Sequence, residues 1–224
     1  MTRTKLKDRI LPTYSRGEEI TNMTSHIVGA VFGIVALVLC TVAAASHSNG
    51  YAVVSGAIYG TTMILLYTMS SIYHGLSPNI KGKKVMQVLD HCSIFLLIAG
   101  CYTPFALCTL REYDAVTGWV IFGVIWLFAI LGITLNAIDL KKFKRFSMLC
   151  YLAMGWCIIL KITVLPELLT WNGFALLLGG GIVYTIGAVL YALGKKRKWM
   201  HSIFHFCILF ASILQFFCIL LYVM

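Results

Sequence analysis

Seven apolar runs, each about the length that crosses a lipid bilayer, take up nearly the whole of this chain. They cover 23–45, 52–74, 86–108, 116–137, 146–165, 173–193 and 200–223. A membrane-crossing helix needs about 20 predominantly apolar residues, so the expected fold is an all-α integral membrane protein of seven transmembrane helices. Composition leaves little room for a soluble alternative. Of 224 residues, 60% are hydrophobic and 12% charged, and the mean hydropathy is +0.88. The connections are short, which predicts a transmembrane domain over 23–224 preceded by a cytoplasmic N-terminal segment, 1–22. That segment is polar and the first run is long enough to stay in the bilayer, so no cleavable signal peptide is expected. All eight cysteines lie inside the runs and none forms a C-x-x-C pair. They read as small buried hydrophobes rather than as a disulfide framework.

The formal charge of +10 is unevenly placed. Lys and Arg cluster at 3–16 (five), 81–84 (three), 141–145 (four) and 195–198 (four), so sixteen of the eighteen fall on alternate connections of a seven-span chain. Only Arg111 and Lys161 lie elsewhere. The positive-inside rule then sets the N-terminus in the cytoplasm and the C-terminus outside. The basic connections act as topology signals and as contacts for anionic membrane lipids. No basic face with stacking or groove-reading elements accompanies them, which argues against nucleic acid as a partner.

This topology gathers polar residues from four parts of the sequence. His74 closes the second run, Asp90 opens the third, and His201 and His205 open the seventh, while Glu19, Asn22 and His26 stand at the entrance of the first. All are expected near the cytoplasmic leaflet, where ionisable groups inside spans are costly and point to function. His201 and His205 are four apart, on one helical face and roughly 6 Å apart along the axis, a spacing that suits a shared metal ion. Alone the pair is weak, because helix ends often carry two histidines that only face the headgroups. His74 and Asp90 at the same depth strengthen it. Three neutral imidazoles with an open fourth position make a catalytic type of zinc site, although imidazole also accepts copper, iron or nickel. Asp90 could accept a proton from the metal's water or hold that water by a hydrogen bond. Ser70, four residues before His74, could orient the carboxylate or stabilise an oxyanion, or bond back to its own helix. His91, directly after Asp90, is expected to point to another face.

At these residues the sequence resembles the hemolysin III proteins, the bacterial branch of the progestin and adiponectin receptor superfamily, over about residues 16–222. The resemblance rests on E-I-T-N-M-T-S-H at 19–26, S-S-I-Y-H at 70–74, D-H-C-S-I-F-L-L-I-A-G-C-Y-T-P-F at 90–105 and H-S-I-F-H at 201–205. It implies seven helices with a cytoplasmic N-terminus, and a zinc ion held by His74, His201 and His205. It further implies that Asp90 contacts the zinc-bound water with support from Ser70. Glu19, Asn22 and His26 match the family's first motif and are expected to support or gate the site.

Four functions follow for such a chain. The first is a membrane-embedded zinc hydrolase of lipid amides of ceramide type, reached from the cytoplasmic leaflet, with Asp90 handling the proton. The second is a sensor or regulator of membrane state in which zinc fixes helices two, three and seven. A cytolytic pore, suggested by the family name, fits poorly because seven apolar spans cannot stay soluble before insertion. A transporter fits poorly too, because no polar chain continues from these residues to the outer side.

Overall fold

The computed structural model describes residues 4, 6–47, 49–194 and 197–224, which are mostly helical and contain no strand. Among them six helices are long and apolar enough to cross a membrane. They are α1 (Arg16–Ser46), α2 (Gly50–Gly75), α3 (Lys81–Pro104), α4 (Ala115–Trp156), α5 (Leu165–Leu193) and α6 (Met200–Tyr222). A 3₁₀ turn, Leu6–Asp8, precedes α1. Local chemistry explains several helix ends. Ser15 and Glu18 form a reciprocal capping box on α1, Asn49 accepts the Tyr51 and Ala52 N–H groups at the start of α2, and Asp114 does the same for Val116 and Thr117 on α4. Pro104 lacks a backbone N–H. The regular α pattern gives way there to a π-helical stretch, Phe105–Leu110, and a last turn, Arg111–Tyr113.

The run expected at 116–137 and the first half of that at 146–165 lie in one helical element, α4, broken at Asp139 (φ −157°, ψ 94°), and a 3₁₀ turn, Cys157–Lys161, continues it. The chain folds back at this break. The Ser147 hydroxyl donates to Asn136 Oδ1 at 2.6 Å, whereas residues eleven apart in a straight helix would be separated by about 16 Å along the axis. Both arms also meet α3 at adjacent residues: the Cys92 thiol donates to the Ile133 carbonyl and the Tyr151 hydroxyl to the His91 carbonyl. Residues 138–145 contain neither Gly nor Pro, so helical bonding resumes at once. Asp139 itself caps the second arm, accepting from Lys142 N at 3.1 Å.

Helix α3 is the centre of the bundle. Its most apolar stretch is 78% buried, against 28% for α1 and 17% for α5. It packs on α2 and α4, while α1 lies on α2 and α6, and α5 on α6. Helices α1 and α2 approach closely because small residues line their seam. A Cβ at Gly60 would overlap the Leu37 backbone of α1. We expect Gly60→Leu to destabilise the bundle by about 1–3 kcal/mol, read as a lowered melting temperature of detergent-purified protein. The opposite face of α1, with Val31, Ile34, Val38 and Val42, is exposed, as a lipid-facing surface requires. Inside, hydroxyls tie helices together: Ser212 Oγ of α6 accepts from Tyr67 of α2 at 2.8 Å and lies 2.7 Å from the Tyr184 hydroxyl of α5.

Candidate metal centre

Helix α2 ends where α1, α3 and α6 begin, and this end of the bundle collects the ionisable residues. His74 lies in the last turn of α2 and His201 and His205 in the first two turns of α6. Their rings converge through Nε2: His201 is 3.3 Å from His74 and 3.1 Å from His205. All three offer a nitrogen within 4.8 Å of the others, so the group could hold a metal ion. Ligand nitrogens around a tetrahedral ion bound at ~2.0–2.1 Å stand roughly 3.3 Å apart, which matches these separations. Three imidazole nitrogens facing one another cannot all be satisfied by bonds among themselves. A cation at their centre satisfies all three.

The tautomer of His74 suits that role. Its Nδ1–H donates to Glu19 Oε2 at 2.6 Å, which leaves the lone pair of Nε2 turned to the centre. The other oxygen of Glu19 accepts from Lys83 Nζ at 2.5 Å, and Lys83 also donates to the Leu76 carbonyl at 2.9 Å. Lys83 is 1% exposed. A buried lysine needs a carboxylate partner, and here the pair clamps the ring that faces the metal position. Outer partners of this kind typically change metal affinity 10–100-fold. Glu19→Gln and Lys83→Met should each weaken metal binding by about that factor while all three histidines remain, as competition against a chromophoric chelator would measure.

Two further contacts set the approach to the centre. Tyr14 stacks on His201 with ring centroids 4.8 Å apart, so the segment before α1 covers the outer side of the histidines. Trp199, just before α6, sits in the left-handed region (φ 67°), a strained conformation for a bulky residue. Its N–H donates to Glu18 Oε1 at 2.6 Å, and Glu18 Oε2 accepts from Ser15. The α1 capping box thereby fixes the entry of α6, two residues before His201.

On the inner side the histidines border a mainly apolar cavity between α3, the second arm of α4, α5 and α6. Ser70, Asp90, His201 and His205 line its polar end, and Ile98, Trp156 and Leu177 are among its apolar walls. Ser70 is placed to donate to Asp90. His91, expected to face away, instead folds back to 3.2 Å from Asp90 Oδ2 and 2.9 Å from the Gln87 carbonyl, and it lines the same cavity. His26 lies flat on His205, centroids 3.8 Å apart. Among the described residues neither ring nitrogen of His26 and neither side-chain polar atom of the buried Asn22 has a partner. The structure thus brings together His74, His201 and His205, sets Glu19 and His26 against them, and puts Asp90 and Ser70 on the adjoining wall. Lys83, Tyr14 and His91 are the residues that the sequence reading missed. For Lys83 a signal existed: 83, 87 and 90 repeat at i, i+4 and i+7, on the face of α3 that carries Asp90.

A family model described as Haemolysin-III related matches residues 14–216. The chain belongs to this family. Two hemolysin III relatives align over nearly its whole length: Hemolysin-3 of Bacillus cereus is 43% identical over 207 residues, 92% of each chain. Hemolysin-3 homolog of Bacillus subtilis (strain 168) is 37% identical over 205 residues, 92% of this chain and 94% of that protein. A more distant relative, the monocyte to macrophage differentiation factor of Homo sapiens, is 25% identical over 169 residues, 72% of this chain and 67% of its own. Hemolysin III membership and six apolar helices of spanning length together make the protein a multi-pass membrane protein.

Proposed function

We propose that this hemolysin III protein is a zinc-dependent hydrolase of lipid amides of ceramide type, working at the cytoplasmic leaflet. One observation carries the reading: His201 and His205, two of the three converging histidines, line the polar end of an apolar cavity together with Asp90 and Ser70. His74, His201 and His205 would hold the ion, and the nitrogen-only donor set suits zinc. When bound, zinc supplies Lewis acidity and lowers the pKa of a water to about 7. Asp90 would be the proton acceptor and donor of the hydrolysis, taking a proton from the attacking water and passing it to the leaving amine. Ser70 holds the carboxylate in position. The cavity walls take the acyl chain and keep bulk water from the reacting carbonyl. Glu19 and Lys83 fix His74, while Asn22 and His26 back the His205 side.

Seven spans and a cytoplasmic N-terminus complete the reading. Each arm of α4 is a separate crossing, since Ala115–Lys161 holds 47 residues, roughly 70 Å if straight and more than twice the bilayer core. The described basic residues at 81–84 and 141–145, with Arg9, Arg16, Arg197 and Lys198, lie toward the end of the bundle that carries the histidines, which the positive-inside rule assigns to the cytoplasm.

The test is incubation of purified protein with mixed lipid amides, with products identified by mass spectrometry. Free fatty acid and amine in equal amounts are expected from wild type, and none from His74→Ala. A second reading, a zinc that only ties helices in a membrane sensor, draws on the way the histidines join α2 to α6. It predicts bound zinc with no product.

A further inference from the structure

We propose that Arg9 anchors a binding site for a phosphate-bearing anion at the histidine end of the bundle, independent of the reaction. The segment before α1 crosses this end. It is pinned at its start by Thr4 N–H, which donates to Asp139 Oδ2 at 2.7 Å, and near its end by Tyr14 on His201. Between them the turn Leu6–Asp8 packs on α3. Arg9 follows this turn and is turned inward, only 8% exposed, with its charge acting on the Cys92 thiol of α3. Its Nε and Nη1 are buried and without a hydrogen-bond partner.

No carboxylate of the chain neutralises it. The sequence has eight acidic residues, and among the described residues none lies within 4.0 Å of a guanidinium nitrogen of Arg9. Those at this end are committed elsewhere. Glu18 binds Ser15 and Trp199, Glu19 binds His74 and Lys83, Asp90 faces His91, and both oxygens of Asp139 accept backbone N–H groups from Thr4 and Lys142. Asp8 is exposed. Glu112, Asp114 and Glu167 belong to the opposite end. Two buried guanidinium nitrogens left without an acceptor are costly, so the partner comes from outside the chain.

The surroundings select its chemistry. The segments 3–16 and 141–145 carry five and four basic residues, a field that favours a strongly anionic group. The guanidinium fork matches phosphate oxygens in bidentate fashion. A lipid phosphodiester and free phosphate share that chemistry.

The experiment compares wild type, Arg9→Gln and the charge-matched control Lys161→Gln, at the opposite end of the bundle. Each full chain is tested in neutral detergent with inorganic phosphate, and in nanodiscs of phosphatidylcholine with or without phosphatidylglycerol. Melting temperature and lipids retained in native mass spectrometry are read. Wild type and Lys161→Gln should be stabilised by the anion and hold one per chain, with Arg9→Gln binding at least about ten-fold more weakly. Stabilisation by phosphate alone identifies a free anion, and stabilisation only by phosphatidylglycerol identifies a lipid headgroup. In anion-free detergent Arg9→Gln should melt no lower than wild type, because it removes an unpaired charge. If that variant does not fold, Arg9→Lys, which keeps the charge and loses the fork, should bind with intermediate affinity. Equal anion affinity in wild type and the Arg9 variants, or wild type that binds neither anion, would overturn the proposal.

Discussion

His205→Ala and His201→Ala should each lose stoichiometric zinc when the protein is purified and analysed by elemental mass spectrometry. The expected size follows from the geometry. Three converging nitrogens, two pairs of them at tetrahedral separations, would supply the whole protein share of the site, and no described carboxylate or thiol stands within the same cluster to replace one. Binding at a zinc site that forms with the fold is worth on the order of 10–16 kcal/mol, so removing one of three ligands should weaken affinity by about a thousand-fold. The loss extends to stability. His74 ends α2 while His201 and His205 start α6, so an ion held by them would crosslink helices that are far apart in sequence. Zinc at a thousand times its Kd adds about 4 kcal/mol to the folded state. Wild type should therefore gain on the order of 10 °C in melting temperature with zinc, and both variants close to nothing. His91→Ala serves as the control. Its ring contacts Asp90 and Gln87 rather than the histidine cluster, so zinc content should be unchanged.

Asp90→Asn separates chemistry from metal binding. The carboxylate lines the cavity beside Ser70 and lies outside the group that could hold the ion. The amide has the same shape but cannot accept a proton, so zinc content and melting temperature should stay near wild type. Turnover on lipid amides should fall by about a hundred- to ten-thousand-fold, the usual contribution of a positioned acid–base group. Parallel zinc analysis and fatty-acid release on the same preparations check both halves. If turnover survives in Asp90→Asn, proton transfer belongs to another group. His91, at 3.2 Å from the carboxylate, is the first to examine.

Much of the fold was legible because spanning lipid demands length and apolarity, both of which are plain in a sequence. The gap between the fourth and fifth runs was legible too, but the single-residue break at Asp139 that makes it was not. Residues 138–145 contain no Gly or Pro to end a helix, and the reversal depends on the aspartate turning back to cap Lys142 and on Thr4 arriving from the N-terminal segment. The three histidines were legible because their spacing and depth are properties of the chain itself. Lys83 was hidden by its setting: within a run of lysines at a helix start it reads as an interfacial charge. Its burial is decided by Glu19 of another helix. Tyr14 sits in a polar segment with no periodicity, so nothing local marks it as the cover of His201. His91 was assigned to another face by counting residues along α3, yet its side chain swings back along the helix to Gln87 and Asp90. In each case the missing information was tertiary, carried by a partner distant in sequence or by a side-chain rotamer.

The central claim is tested most directly by stripping zinc from wild-type protein in lipid nanodiscs and titrating it back while fatty acid released from a lipid amide is counted. Release should vanish on stripping and return in proportion, reaching its plateau at one zinc per chain. Release that ignores the metal, or folded protein loaded with one zinc that releases nothing from any lipid amide, would contradict it.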